Sequence, residues 1–521
     1  MHVAFVYTEQ DRWALGIRHI SSKLQQAGYR TSLYLMSSLE EQFSKSVLDE
    51  IERATQGADV VAVGCFSRGA EKARQVLQRL KGKGKFCVWG GIHATLNPDD
   101  CAPDADLVCV GEGEEFMVDL LSRLQSGKDW RDIENGAYLD NGVARRNTLH
   151  PLNDLDSLPL LDYVNEEEFY LENGVFGEKN QMDVPAEPIL FIGSRGCAFH
   201  CTYCTNSRLK EIYRGHGSYL RRMGASKYVE HAAALKDIFR RSGQFYFIDE
   251  DFFARPTEEI RDFCMLYTEK VGVPFECMGS PLQITEEKME LLVGAGLWRI
   301  RMGVETGSER IKKEIYQRPI SNQKVQEAVR IINRYPHVIP YYFLIIANPY
   351  EEEQDLVSTA IFAAELPSPF FIQTFNLVFF PESLRYERAV RDGIIGGKGD
   401  SGWGIDTRGG LEYKKYRWKE KNLYMNGLLF LMEGKSTTRR LGSVPRFLLE
   451  HLLRENVRKF NSDYLFFIKL FIEFKKIVLS LRKRVALFIT STFGSPKYLF
   501  GPKLIFKPVL LKSDSPPAAI E

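Results

Sequence analysis

The chain of 521 residues is short of several things at once, and each shortage removes a class of function. Its Lys+Arg and Asp+Glu counts nearly cancel, 69 against 68, for a net charge of +1. No global excess of positive charge points to nucleic acid. Cysteine is sparse, nine in all, too few for a disulfide scaffold. Six of these, Cys65, Cys87, Cys101, Cys109, Cys264 and Cys277, fall mostly in apolar strand-like runs and read as buried free thiols. Met1 runs straight into a strand-like segment, with no basic stretch followed by an apolar one, so the expectation is a cytoplasmic protein in a reducing compartment. The apolar run near the C-terminus is interrupted by Lys469, Glu473, Lys475 and Lys476, too broken to span a bilayer. The first strand-to-helix turn lacks G-x-G-x-x-G, which argues against a nicotinamide dinucleotide site.

What the chain does have is a concentration of thiols. Cys197, Cys201 and Cys204 lie in the stretch Ser194-Arg195-Gly196-Cys197-Ala198-Phe199-His200-Cys201-Thr202-Tyr203-Cys204, spaced by three residues and then two. A short loop with that spacing can aim three thiolates at one region, and thiolates suit zinc, copper(I) or iron–sulfur clusters. Ordinary cluster sites use four cysteines. This run supplies three, with no fourth nearby, so one iron would stay open to a small molecule. Three alternatives stand beside that reading. His200 could complete a zinc site, although its adjacency to Cys201 makes convergence on one ion awkward. Cys201 and Cys204 alone satisfy the C-x-x-C of a thioredoxin-like redox pair. The group could also be buried cysteines gathered by chance.

Around this loop the pattern is α/β throughout. Within 1–125, short apolar β-branched strands at 2–7, 31–34, 60–64, 85–88 and 107–110 alternate with helical stretches such as 14–27, 70–80 and 116–124. Such alternation implies a doubly wound parallel sheet whose ligands bind at the carboxyl ends of the strands. Two loops at those ends are glycine-rich, Gly90-Gly91-Ile92-His93-Ala94-Thr95 and Gly111-Glu112-Gly113-Glu114. On glycines alone they read equally as tight turns. Residues 126–185 read as a linker, with a hairpin at 136–147 turning on Asp140-Asn141-Gly142. Residues 186–400 hold six further strands, at 189–192, 244–248, 275–279, 299–303, 341–346 and 372–377, again alternating with helices. This fits a partial (β/α)6 barrel with function at the strand C-termini, where the cysteine loop falls.

The C-x3-C-x2-C spacing after an apolar strand and Gly196, with Tyr203 before the last cysteine, resembles the radical S-adenosylmethionine superfamily. The resemblance implies a 4Fe–4S cluster on the three cysteines, with the amino and carboxylate groups of S-adenosylmethionine on the fourth iron and a 5′-deoxyadenosyl radical as product of reductive cleavage. Other strand ends match. Asp249-Glu250-Asp251 closes the second strand, where the family places acids near the amino group of S-adenosylmethionine; helix capping is the plainer reading. Gly303-Val304-Glu305-Thr306-Gly307-Ser308 resembles the strand-five motif, which implies that Glu305 faces the cofactor ribose or substrate and that Ser308 caps the next helix. Ser280 stands where a polar contact to the methionyl part is common, and Arg222 or Arg318 could pair with a carboxylate. Asn348-Pro349-Tyr350-Glu351-Glu352 sits where relatives in this family carry G-x-P-G-E, with the glycine replaced, so a changed loop shape is expected.

With this barrel downstream, GGIHATLNPDD (residues 90–100), VCVGEGE (108–114) and Leu15-Gly16-Ile17 resemble the cobalamin-binding domain of the cobalamin-dependent members. The resemblance implies cobalamin held near Gly90, Gly91, His93, Gly111 and Gly113, His93 being equally a capping or core histidine. Many such domains carry D-x-H-x-x-G in the first loop; here Thr8 to Gly16 holds no histidine, so a cobalt without a histidine ligand from that loop is expected.

Residues 401–521 read as a variable helical region. Trp403, Tyr413, Tyr416, Trp418 and Tyr424 either close the barrel mouth over substrate or form core. Residues 443–512 carry 14 Lys or Arg against 4 Asp or Glu, a net of +10, mixed with Phe, Leu and Ile. That composition suits either peripheral contact with an anionic membrane surface or a basic helical cap on the barrel. The resemblance thus implies an enzyme that methylates an unactivated carbon of a small molecule with methylcobalamin, helped by an electron donor such as flavodoxin or ferredoxin, and the basic, apolar tail points to a lipid-like substrate. Its rivals are a cobalamin-independent radical cyclase or rearrangement enzyme and a non-catalytic metal-binding scaffold.

Overall fold

The structure is a computed structural model that describes residues 1–395 except 10–11, 37–41, 179–187, 368 and 381–382, together with 403–405 and 411–413. Its first unit is built on five short apolar strands: β1 (His2–Tyr7), β2 (Arg30–Met36), β3 (Val60–Gly64), β4 (Phe86–Gly90) and β5 (Leu107–Cys109). They run parallel in the order β5-β4-β3-β1-β2. Both faces are covered, which is why the strands read as continuous hydrophobic runs rather than alternating ones. Helices Leu15–Gln26 and Glu114–Ser126 bury Ile17, Leu24, Phe116 and Leu120 on one face. Helices Lys45–Ala54 and Ala70–Leu80 bury Ile51, Ala73, Val76 and Leu77 on the other. Chain direction across the sheet reverses between β1 and β3, and the crevice beyond their carboxyl ends is the natural ligand position.

The stretch read as a linker is more than that. Hairpin β6 (Gly136–Asp140) and β7 (Val143–Arg146) joins β5 antiparallel, and β8 (Glu168–Glu172) with β9 (Val175–Glu178) extends the sheet beyond β2 to nine strands. Asn141 and Gly142 both have positive φ, 51° and 81°, as the expected two-residue turn requires. Periodicity shows that a hairpin forms; it does not show which sheet edge accepts it.

Arg18 fastens this extension. Its guanidinium makes a two-pronged pair with Glu168 of β8 and also donates to the carbonyls of Arg12, Trp13 and Asp162. Both side chains of the pair are essentially inaccessible, at 1% and 0%.

The second unit begins with β10 (Ile189–Phe191) and the short pair β11 (Ser194–Arg195) and β12 (Arg221–Arg222). It continues through β13 (Phe245–Phe247), β14 (Phe275–Gly279), β15 (Leu297–Glu305), β16 (Ile339–Ile346) and β17 (Phe371–Asn376). Apart from β11 and β12 these strands form one six-stranded parallel sheet in sequence order, an open half-barrel. On β15, Ile300, Met302 and Val304 point into the helix-covered core, while Arg301, Gly303 and Glu305 face the concave side and stay partly accessible. The outer layer is held by edge-to-face aromatics, Tyr228, Phe247, Phe263, Tyr267 and Phe275 among them.

In the last unit only the pair Trp403–Ile405 and Leu411–Tyr413 is described. The expected roles of Tyr416, Trp418 and Tyr424 and the basic stretch 443–512 lie outside the described residues. Among the described residues no helix is long and apolar enough to cross a membrane.

Two predictions follow from buried charge. Removing one member of a buried ion pair strands the other, at a cost of about 3–5 kcal/mol. R18M should therefore lower stability in urea unfolding by that order, and R18M combined with E168L should recover much of it; equal losses would show that the pair itself is not the fastening. Glu351, in the loop after β16, is buried, and burial raises its carboxyl to about 8 from an ordinary 4.5. Its contribution to stability is complete below 4.5 and is lost as pH rises through 8. E351Q, which cannot ionise, should match the pH behaviour of the parent below about pH 4.5 and flatten the decline between pH 4.5 and about 8 seen in thermal melts, leaving the variant the more stable at pH 8.

Candidate cluster and cofactor site

The cysteine loop leaves the carboxyl end of β10 through a backbone turn that only glycine fits. Gly196 has φ +87°, and a Cβ there would lie 2.3 Å from the Tyr219 carbonyl oxygen. Beyond it the loop is pinned through a residue the sequence did not single out, Thr202. Its amide donates to Tyr316 O at 3.0 Å, its hydroxyl donates to Ile315 O at 2.6 Å, and both its oxygens accept from Arg385 at 3.0 Å. Cys201 is buried; Cys197 and Cys204 are partly accessible. Burial raises the Cys197 thiol to about 11 and the Cys204 thiol to about 12, with Glu250 adding to both. These thiols keep their protons until a metal displaces them. Among the described residues no three His, Cys, Asp or Glu side chains gather as ligands of one ion. A cluster does not ask for that, since each of its cysteines binds a different iron. Two side-chain N–H groups also point at the sulfurs: Arg318 Nη1 lies 3.6 Å from Cys201 Sγ, and Asn206 Nδ2 lies 3.7 Å from Cys204 Sγ. Three thiols with donors aimed at their sulfurs fit a cluster.

The three acids after β13 divide. Asp249 is fully buried and committed to the frame, accepting from Tyr228 Oη at 2.7 Å and Arg255 Nη2 at 3.0 Å. Glu250 is exposed to solvent, lies beside Cys197 and Cys204, and takes a hydrogen bond from Asn206. Asp251 accepts from the Ser280 amide at 3.1 Å through one oxygen, while burial raises the carboxyl to about 6. Ser280 is itself buried at the end of β14. Of the three, Glu250 and Asp251 are the acids on the cluster side.

Glu305 ends β15 with φ +68°, a left-handed conformation that costs a non-glycine residue of order 1–3 kcal/mol and tends to persist at functional sites. Burial raises its carboxyl, partly offset by Arg318 and by a hydrogen bond from Tyr203. Arg318 Nη2 donates to Gly303 O at 3.0 Å and stands 3.9 Å from Glu305. Arg222 instead pairs with Glu259 at 3.5 Å. Ser308 accepts from the Ile311 amide at 3.2 Å, the expected cap. In the loop after β16, Ala347, the residue before Asn348, holds φ +64°, the region glycine adopts freely.

The glycine loops of the first unit do two different things. Gly91 has φ +95°, and a Cβ would lie 2.6 Å from Cys65 O, so it closes the loop after β4 against the loop after β3. Gly90 has ordinary space, and a Cβ on Gly113 would meet Ile20 at 2.7 Å. His93 is buried, with Nδ1 3.2 Å from Ser67 Oγ and its ring against Trp89 at 5.9 Å. Gly111, φ +103°, faces the second unit: a Cβ would lie 2.5 Å from Tyr213 Oη. Here the two units lock. Glu112 accepts from Arg195 Nη1 at 2.8 Å and Arg221 Nη2 at 2.7 Å, and Glu114 pairs with Arg195 Nη2. Burial alone would raise the Glu112 carboxyl, but Arg195 and Arg221 outweigh it and hold it at about 2. Arg195 is two residues before Cys197. The sequence had flagged the loop for its glycines; its acids, paired with the arginines of β11 and β12, are what the spacing did not reveal.

Among the described residues of the first loop, Glu9 is the only side chain with ligand chemistry, and it is already taken by the amides of Phe66 and Gly69 and by Arg68.

The chain matches the model of the B12 binding domain over residues 1–121 and that of the radical SAM superfamily over residues 191–363. It is 22% identical over 448 residues to cytidylyl-2-hydroxyethylphosphonate methyltransferase of Streptomyces wedmorensis, covering 74% of this chain and 82% of that one. It is 24% identical over 336 residues to anaerobic magnesium-protoporphyrin IX monomethyl ester cyclase of Cereibacter sphaeroides, covering 61% of this chain and half of that one. Among solved structures it resembles the cobalamin-dependent S-adenosylmethionine radical enzyme OxsB with aqua-cobalamin and S-adenosylmethionine bound, with a TM-score of 0.63, 14% identity, and coverage of 87% and 71% of the two chains. With a cobalamin-binding sheet and a three-cysteine half-barrel in one chain, the protein belongs to the radical S-adenosylmethionine enzymes that carry a B12-binding domain.

Proposed function

We propose that the protein is a cobalamin-dependent methyltransferase acting on an unactivated carbon of a small molecule. The observation that carries this reading is the charged lock between Glu112 and Glu114 of the corrinoid-side loop and Arg195 and Arg221 beside the cysteine loop. It brings the ligand ends of both units to one shared region, which methyl transfer between two cofactors and one substrate requires. When bound, the cluster with S-adenosylmethionine supplies hydrogen abstraction and cobalamin supplies the methyl group.

The chain's own residues bind and orient. Cys197, Cys201 and Cys204 hold the cluster. Glu250 and Asp251 stand on the cluster side of β13, placed to receive the amino group of S-adenosylmethionine, with Ser280 behind Asp251. Glu305, held at the mouth by its strained backbone, faces the ribose or substrate. Gly90, Gly91, Gly111 and Gly113 shape the corrinoid crevice. Asp249 braces the strand end from behind.

After anaerobic reconstitution the protein should hold about four irons and four sulfides, show corrinoid absorbance, and form 5′-deoxyadenosine from S-adenosylmethionine under dithionite. C197A, C201A and C204A should each lose the cluster and the deoxyadenosine while keeping the corrinoid. A colourless protein that still forms deoxyadenosine would favour radical chemistry without methyl transfer, of the ring-closing kind named for the Cereibacter relative. Zinc without sulfide would indicate a scaffold.

The composition of 443–512 supports a finer reading: a lipid-like substrate met at a membrane surface, with a small flavoprotein or ferredoxin as electron donor. The full chain should sediment with phosphatidylserine vesicles and not with phosphatidylcholine vesicles, and high salt should release it. Equal recovery with both vesicle types would remove the membrane part of the reading.

A further inference from the structure

Two side chains aim N–H groups at cluster-binding sulfurs, one at Cys201 and one at Cys204. Arg318 is 9% accessible and fixed at several points: its backbone amide donates to Lys312 O at 2.8 Å, Nη2 donates to Gly303 O at 3.0 Å, and its guanidinium lies 5.5 Å over the Phe199 ring. That leaves Nη1 directed at Cys201 Sγ, 3.6 Å away. Asn206 is oriented by a separate contact. Its Oδ1 accepts from Tyr219 Oη, which turns the amide nitrogen to Cys204 Sγ at 3.7 Å. The same amide group supplies the hydrogen bond to Glu250. Neither contact is needed to fold the loop, which Gly196, Thr202 and Arg385 already fix.

We infer that Arg318 and Asn206 set the reduction potential of the cluster on Cys197, Cys201 and Cys204, raising it by hydrogen-bonding to two of its ligand sulfurs. The inference rests on the reading that those cysteines hold the cluster. Taking up one electron adds a negative charge that spreads onto the sulfurs, and a donor at the sulfur stabilises that charge. No bond breaks, and the electron comes from an external one-electron reductant. Arg318 brings a full positive charge through a charge-assisted contact, partly balanced by Glu305 at 3.9 Å; Asn206 brings only a dipole. Arg318 therefore has the larger effect. Cys197 receives no side-chain N–H donor among the described residues, so the polarisation falls on two of the three ligands.

The test is a mediated redox titration of the reconstituted full-length protein without S-adenosylmethionine, poised with dithionite and followed by the electron paramagnetic resonance of the reduced cluster. At the potential where the parent cluster is half reduced, R318M should show a reduced-to-oxidised ratio at least about tenfold lower, a downward shift of about 59 mV for one electron. R318K, which keeps the charge, should recover most of the shift, and N206L should shift in the same direction by less. Iron and sulfide content measured on each sample separates the two failures. No cluster in the parent overturns the assignment of the cysteines, whereas intact clusters with unchanged or raised potentials in R318M and N206L overturn the inference. Should R318M fail to assemble a cluster, N206L against parent decides, because it replaces the amide at nearly constant volume.

Discussion

The pairing of Glu112 and Glu114 with Arg195 and Arg221 is the constraint on which the functional architecture depends. It joins the loop at the carboxyl end of β5 to the two short strands that frame the cysteine loop, so the geometry of one cofactor site is referred directly to the other. Buried ion pairs are weak sources of stability, because desolvation takes back most of what attraction supplies, and their better-attested role is to specify one arrangement. Four charges paired across the seam, with a backbone amide from Asn153 on Glu112 at 2.9 Å, do that here. Apolar packing at the same seam, Trp13 against Tyr163 and Phe239, supplies area without direction.

Much of the fold was legible because both units obey simple patterns. Strands β1, β3 and β14 stand where the sequence places them, and the cysteine loop falls at a strand's carboxyl end as barrels require. What escaped was relational. The 126–185 segment carries turn chemistry at Asn141-Gly142 that announces a hairpin, but the edge of the sheet it extends is decided by packing 20 or more residues away in sequence, as the β6–β5 and β8–β2 pairs show. Helix Lys45–Ala54, capped by Ser44, was overlooked because its short amphipathic stretch follows a polar run.

The site shows the same division. Cysteine spacing and the acid run at 249–251 are local signals and survive. The separation of those acids into Asp249, bound within the frame by Tyr228 and Arg255, and Glu250 and Asp251, on the cluster side, is set by the turn that follows β13 and by partners elsewhere in the chain. Thr202, Asn206 and Arg195 carry no pattern of their own and become visible only through what they touch. Positive φ at Glu305 and Ala347 marks two places, at the ends of β15 and β16, where the backbone bends away from its preferred region. Both are non-glycine residues, so the surrounding structure holds them there at some cost, as is common where positioning outweighs local ease.

The central claim is that one chain places an iron–sulfur cluster and a corrinoid against a common cavity. Electron paramagnetic resonance of the reconstituted protein, with the cluster reduced and the corrinoid held as cob(II)alamin, reads that proximity directly. Two nearby unpaired spins should broaden or split the cob(II)alamin signal relative to the same protein with its cluster oxidised. Two unperturbed, simply additive spectra would place the cofactors apart and contradict the account.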